Sequence, residues 1–180
     1  MNRLPVITPD DAGGKTAGLF SSIKSAMGKV PNAYLAIGSH APDILAQALQ
    51  LNAALARSSL SAREREAINL IVSEESGCDY CLAAHTPLAR KAGYTEAQTL
   101  QLRQGYIEGD SKIDALVRFV QILVSTRGTL AGDHVGAFKA AGFTDQQVVE
   151  TVGAVTAILF TNMFNRINDT EVDFPAVKAL

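Results

Sequence analysis

A fourteen-residue pattern occurs twice in this chain and restricts its fold to helices. Residues 85–98 and 134–147 align at a shift of 49 residues, with His, Ala, Gly, Thr and Gln at matching places. Each copy is typical of a helix that stops at a glycine and is followed by Thr-x-x-Gln, a capping sequence that opens the next helix. We therefore predict a duplicated helical unit, in which only the first copy is preceded by cysteines.

Apolar residues recur at three- and four-residue spacing along most of the chain, and strand-like alternation is absent. The fold class is therefore all-α. The first 32 residues are rich in proline and glycine, so we predict an N-terminal arm with one short helix over residues 1–32 and a single helical domain over residues 33–180. The predicted helices cover residues 15–27, 42–57, 61–75, 79–91, 95–104, 111–126, 133–141 and 144–165.

Composition and charge exclude several classes of function. The formal net charge of −2 and the pI near 5.9 give no electrostatic footprint for nucleic acid. The first residues do not read as a signal peptide, and polar residues interrupt the apolar stretch 148–164, so we expect no membrane span. We predict a cytoplasmic protein, in which two cysteines are catalytic or metal-binding rather than a structural disulfide.

The last predicted helix is apolar nearly all round, with valine, isoleucine, leucine, methionine and phenylalanine on every face between residues 148 and 164. A helix of this kind is central in a core or shared with another subunit. We expect burial by formation of a homo-oligomer.

The two cysteines of the chain, Cys78 and Cys81, are followed by His85. The capping sequence Ser61–Glu64 opens one helix, and Gly77 ends it, which places Cys78 at the start of the next. All three side chains then share a helix face, as redox chemistry of a dithiol requires. A hydrogen bond from His85 would favour Cys81 as the attacking sulfur, although the helix N-terminus would favour Cys78. Glu66, on the preceding helix, could orient His85 or relay a proton.

These residues carry a resemblance to a known family. Glu66, eleven further residues and Cys78-x-x-Cys81-x-x-x-His85 resemble the core motif of the AhpD-like alkylhydroperoxidases in the carboxymuconolactone decarboxylase superfamily. The stretch Gly93-Tyr94-Thr95 and the segment 160–165 resemble that family too. The likeness is specific over residues 61–95 and looser over about 40–170.

The resemblance implies an AhpD-like helical bundle, trimeric or hexameric, that reduces hydroperoxides and needs no metal or organic cofactor. It implies that Cys81 attacks the peroxide, that Cys78 resolves the product, and that Glu66 and His85 relay a proton. An external dithiol would reduce the resulting disulfide. The best-known peroxidases of the family have a histidine where this chain has Tyr80, which we expect to form part of the pocket wall, and Asn162 is a second candidate for the pocket.

Other interpretations fit the same residues. Two cysteines on a helix can be inert and buried, and a zinc site would need one more ligand than Cys78, Cys81 and His85 supply. The chain could instead be a thiol–disulfide oxidoreductase or a decarboxylase-like enzyme. It could also be a non-catalytic redox sensor whose assembly changes on oxidation.

Overall fold

The computed structural model describes residues 2–180, and in that part of the chain it contains nine α-helices and no strand. Met1, the first residue of the predicted arm, lies outside the described residues. The helices are α1 (Gly14–Met27), α2 (Asn32–His40), α3 (Pro42–Ala56), α4 (Ala62–Glu75), α5 (Asp79–Lys91), α6 (Glu96–Arg103), α7 (Ser111–Ser125), α8 (Gly132–Ala140) and α9 (Asp145–Asn168). The all-α fold class is thus confirmed.

The local signals at the helix ends are confirmed. Capping boxes form between Ser61 and Glu64 and at both copies of the repeated Thr-x-x-Gln sequence, at the starts of α6 and α9. Gly93 and Gly142 end the two repeated helices with φ angles of 99° and 98°, which only glycine adopts without strain. The repeated pattern therefore produces the same helix–stop–helix geometry twice.

Helix α2 was not predicted. The proline and glycine content around residue 31 indicated an arm, whereas Pro31 is the N-cap of a nine-residue helix. Val30, Ala33 and Ile37 are buried, and this spacing of three and four residues is that of a helical stripe. Val30 and Ile37 form a small core cluster with Phe20, Ile23 and Leu45 of α1 and α3, while Ala33 belongs to the larger core.

The larger core surrounds α4, which packs against α5, α6, α7 and α9. Residues 67–68 and 70–73 of α4 are buried and Asn69 is half-buried, so this part of the helix is enclosed on nearly all sides. Its C-terminal end leads directly into the cysteine segment. The segment is therefore attached to the most rigidly packed helix of the molecule.

Helix α9 has two unlike faces. Thr151, Asn162 and Asn165 face the core, while Val149 and Met163 are exposed. By length and composition alone it is the one helix of the described chain that could cross a membrane, contrary to the expectation from its polar residues. A helix buried in a protein core passes the same test, and α9 packs against α3, α4 and α5, so this is weak evidence for a membrane span.

After α9 the chain continues without helix and returns along the surface of α5 and α6. Asp173 accepts a hydrogen bond from the Tyr80 hydroxyl at 2.7 Å. Arg103, itself paired with Glu74, donates to the Lys178 carbonyl at 2.6 Å. This tail, residues 170–180, covers one side of the cysteine segment.

Candidate functional site

Cys78 and Cys81 lie at the start of α5, where the sequence placed them. Gly77 has a φ angle of 59° and releases the chain from α4, and Cys78 is the N-cap of α5. The Cys78 sulfur accepts a hydrogen bond from the Cys81 backbone N–H at 3.3 Å. The two sulfurs are 2.6 Å apart, and both cysteines are free thiols with 1% and 3% of their surfaces exposed. The pair is thus preassembled and shielded from bulk water.

The negative charge of the pair lies on Cys78. A hydrogen bond from the Cys81 thiol lowers the pKa of Cys78 to about 7, against the opposing effect of burial, and the Cys81 backbone N–H lowers it further. The hydrogen bond between the two sulfurs raises the pKa of Cys81, and burial raises it further. Cys78 is therefore the more acidic of the two thiols, and its place at the N-terminus of α5 acts in the same direction. Above about pH 7 the pair therefore holds one proton and one negative charge.

Glu66 and His85 form the expected contact between α4 and α5. The Nδ1 atom of His85 lies 2.9 Å from Oε2 of Glu66, and Nδ2 of Asn69 donates to the other carboxylate oxygen at 3.3 Å. This carboxylate fixes the orientation of the ring and leaves Nε2 as the nitrogen for proton exchange. The expected hydrogen bond from His85 to Cys81 is not found among the described residues, where the Nδ1 atom of His85 contacts Glu66.

Two asparagines of α9 lie against the sulfurs. Asn165 donates from Nδ2 to the Cys81 sulfur at 3.4 Å, and Asn162 donates to the Ser73 hydroxyl at 3.1 Å. Both are buried, at 4% and 0% exposure, and the Oδ1 atom of each has no hydrogen-bond partner within the described part of the protein. Asn165 lines the cavities beside the cysteines. Asn162, the predicted pocket residue, lies instead in the protein interior.

Tyr80 is part of the wall of the site. Its hydroxyl accepts a hydrogen bond from the Ala33 N–H at 3.1 Å and donates to Asp173, and its ring meets Phe174 edge to face at 5.5 Å. Burial raises the pKa of Tyr80, so the phenol stays neutral. With its hydroxyl occupied in this way, Tyr80 is suited to hold the tail residues against α5.

Each cysteine lines a different cavity. Cys81 lines a mainly apolar cavity of about 340 Å³, the Cys81 cavity, together with His85, Tyr34, Leu88 and Phe174. Cys78 lines a cavity of about 250 Å³ on the other side, bounded by residues 77–80, 165–166 and 169–172. A substrate in the Cys81 cavity would therefore meet both a sulfur and the imidazole.

A third cavity, the Arg65 cavity, adjoins the Cys81 cavity. It measures about 200 Å³ and is lined by Arg65, Glu66, Asn69, Asn52 and His85, together with aliphatic residues of α3 and α9. Tyr34, His85 and Thr161 line both cavities. The Glu66–His85 pair thus has the cysteine cavity on one side and a polar cavity on the other.

Sequence reasoning missed Tyr34, which lines both of these cavities from α2. Burial raises the pKa of Tyr34, and an electrostatic interaction with Cys81 raises it further. The spacing of Val30, Ala33 and Ile37, on either side of Pro31, would have indicated the helix that carries it. No group of three His, Cys, Asp or Glu side chains among residues 2–180 is arranged as a metal site.

Comparison with protein families gives one match. The Carboxymuconolactone decarboxylase family matches residues 42–121, which include Glu66, both cysteines and His85. The matched stretch is slightly less than half of the 180-residue chain, and it coincides with the part that holds the cysteine segment. No curated protein matches the sequence.

Solved structures give the AhpD-like fold over nearly the whole chain. An uncharacterized peroxidase-related protein with an alkylhydroperoxidase AhpD core, from Ralstonia eutropha, is 20% identical, with a TM-score of 0.85 over 96% of this chain and 92% of the other. An uncharacterized peroxidase-related protein from Silicibacter is also 20% identical, with a TM-score of 0.78 over 94% of this chain and 89% of the other. A cysteine-to-alanine variant of the debrominase Bmp8, in complex with 2,3,4-tribromopyrrole, is 16% identical, with a TM-score of 0.79 over 96% of this chain and 92% of the other.

The acidity of the cysteine pair gives a first prediction. Thiolate should form with a midpoint near pH 7, and Cys81→Ala should raise that midpoint, because it removes the largest cause of the lowered pKa of Cys78. The ultraviolet absorbance of the thiolate against pH measures both midpoints. In the control Cys78→Ala, no thiolate should form near pH 7. A midpoint for Cys81→Ala at or below that of the wild type would contradict the location of the charge.

Proposed function

We propose that this protein is a thiol-dependent peroxidase that reduces organic hydroperoxides through Cys78 and Cys81. The observation that carries the proposal is the pair of free sulfurs 2.6 Å apart, with Cys81 lining a cavity that is also lined by His85, the partner of Glu66. A dithiol at this separation forms a disulfide with little movement of the backbone. Peroxide reduction uses all four residues that the family motif brings together.

In the first step, the Cys78 thiolate acts as the base for Cys81. As the shared proton moves to Cys78, the Cys81 sulfur attacks the terminal oxygen of the hydroperoxide and the O–O bond breaks. The alkoxide leaves with a proton from Nε2 of His85, while Glu66 stabilises the imidazolium. The products are a Cys81 sulfenic acid, a Cys78 thiol and an alcohol. A thiol of higher pKa is the stronger intrinsic nucleophile once deprotonated, which suits Cys81 to the attack.

In the second step, the Cys78 sulfur displaces water from the Cys81 sulfenic acid, and a disulfide forms. An external dithiol then reduces this disulfide by exchange, and its own two thiols become the oxidised product. The cycle needs no metal or organic cofactor. The peroxide step does not depend on which reductant is used, because the reductant acts only after the disulfide has formed.

The proposed assembly is a homo-trimer or homo-hexamer in the cytoplasm. It is supported by the exposed apolar face of α9, where Val149, Val152, Met163 and Ile167 lie on one side of the helix. An exposed stripe of this kind favours contact with another subunit. Sedimentation of the reduced protein tests the assembly.

The activity is tested by steady-state turnover of cumene hydroperoxide with dithiothreitol as the reductant. We expect one alcohol formed for each dithiol oxidised, over many turnovers, in the presence of a metal chelator. The same preparation is assayed with a protein disulfide, a small lactone and 2,3,4-tribromopyrrole, which represent the rival enzyme functions. Turnover of one of these without hydroperoxide turnover contradicts the proposal. The proposal is also contradicted if the cysteines are oxidised once, without further turnover, and the only result is a change in oligomer size.

A further inference from the structure

We propose that the Arg65 cavity binds a carboxylate of the substrate, so that the preferred substrate is the hydroperoxide of an amphipathic carboxylic acid. This inference rests on the proposed peroxidase function and specifies its substrate class. Its starting point is the cavity of about 200 Å³ that shares Tyr34, His85 and Thr161 with the Cys81 cavity, and that Arg65, Asn52 and Asn69 also line.

Arg65 is a half-buried cation without a counter-charge. Its Nη1 atom donates to the Leu60 carbonyl, and no carboxylate of residues 2–180 lies within ion-pair distance of its guanidinium. The half-buried Arg63 and Lys112 and the buried Arg103 have carboxylate partners at 3.2 Å, 2.8 Å and 2.6 Å. A guanidinium with free N–H groups in a cavity is suited to bind a carboxylate or another oxyanion.

The neighbouring carboxylate, Glu66, does not neutralise Arg65. One of its oxygens accepts from His85 at 2.9 Å and the other from Asn69 at 3.3 Å. Its charge is therefore directed to the imidazole, on the side of the Cys81 cavity. An incoming carboxylate would balance the charge of Arg65, and Asn52 on the opposite wall offers an amide donor to the same group.

The arrangement of the two cavities sets the order of groups along the substrate. A carboxylate at Arg65 places the following carbons beside Tyr34, His85 and Thr161, which line both cavities. The hydroperoxide then lies beside His85 and Cys81. The rest of the molecule enters the apolar part of the Cys81 cavity, among Met27, Leu88 and Phe174. The peroxide is therefore expected between a carboxylate head and an apolar tail, as in a mid-chain hydroperoxide of an unsaturated fatty acid.

The kinetic test compares the mid-chain hydroperoxide of linoleic acid with its methyl ester, in wild type, Arg65→Gln and Arg65→Lys. We expect Arg65→Gln to raise KM for the acid about 10-fold to 100-fold, since it removes a charge-assisted hydrogen bond. Its KM for the ester and kcat for both substrates should stay within twofold, which also shows that the variant is folded. Arg65→Lys should recover part of the loss. The exposed Arg57→Gln, at the end of α3, is the matched control for loss of a surface charge.

A binding test separates this inference from the proposed function. Calorimetry with the corresponding hydroxy acid, the alcohol product, needs no turnover, and the hydroxy methyl ester is its reference. We expect the acid to bind wild type at least about tenfold more tightly than the ester, and this preference to disappear in Arg65→Gln. Equal affinity for acid and ester in wild type overturns the carboxylate site, whether or not the protein reduces peroxides. A preference for the acid that persists in Arg65→Gln overturns it as well.

Discussion

Replacing Cys81 by serine is expected to reduce hydroperoxide turnover by at least about a thousandfold, because the sulfur that breaks the O–O bond is lost. Serine differs from cysteine by one atom and can still donate a hydrogen bond to Cys78. This variant should therefore keep the fold and the negative charge on Cys78. Hydroperoxide loss in the presence of dithiothreitol measures the effect. Residual turnover close to that of the wild type would contradict the role of Cys81.

Cys78→Ser is the matched variant and should fail at a different step. Cys81 can still attack, more slowly because its base is gone, but no disulfide can form. We expect one sulfenic acid per chain, trapped by a dicarbonyl reagent and located at Cys81 by mass spectrometry. A sulfenic acid at Cys78 in the Cys81→Ser variant would reverse the two roles while leaving the dithiol cycle intact.

Glu66→Gln should lower kcat/KM for a hydroperoxide by about 100-fold, the second-largest effect we expect. Glutamine keeps the shape and an acceptor for Nδ1 of His85 but removes the charge that stabilises the imidazolium. The thiolate midpoint near pH 7 should not change, because Glu66 is not among the causes of the lowered pKa of Cys78. The loss should therefore appear in turnover and not in the thiolate titration.

The control for Glu66→Gln is Glu75→Gln, on the same helix but exposed. Glu75 contacts Gln121 rather than any residue of the site, so its replacement should leave kcat/KM within twofold. Equal losses in the two variants would indicate a general effect of charge on α4. In that case the proton relay through Glu66 and His85 would be contradicted.

The helices and the cysteine segment could be predicted because their signals are local. Gly77, Gly93 and the Thr-x-x-Gln sequences each act within a few residues of the chain, and the structure contains them all. The contact between Glu66 and His85 followed from the spacing of two adjacent antiparallel helices. At these positions, the distance along the sequence is enough to predict which residues are close in space.

The rest of the site depends on contacts that no local pattern encodes. Tyr34 reaches the site from a helix whose start at Pro31 was taken for an extended arm. Asp173 and Phe174 belong to a tail without any periodicity, yet they hold Tyr80. The acidity of Cys78 depends on a sulfur separation of 2.6 Å, which the C-x-x-C spacing permits but does not determine.

The central claim is that Cys78 and Cys81 act together as a redox pair on a hydroperoxide. The most direct measurement is a single turnover of the reduced wild-type protein with one equivalent of cumene hydroperoxide and no reductant, followed by thiol counting and peptide mass spectrometry. We predict the loss of two thiols per hydroperoxide consumed, one equivalent of cumyl alcohol, and an intramolecular Cys78–Cys81 disulfide. The account would be contradicted if both thiols stayed free and the hydroperoxide was unchanged. It would also be contradicted if both thiols stayed free and a variant without cysteines consumed the hydroperoxide at the same rate.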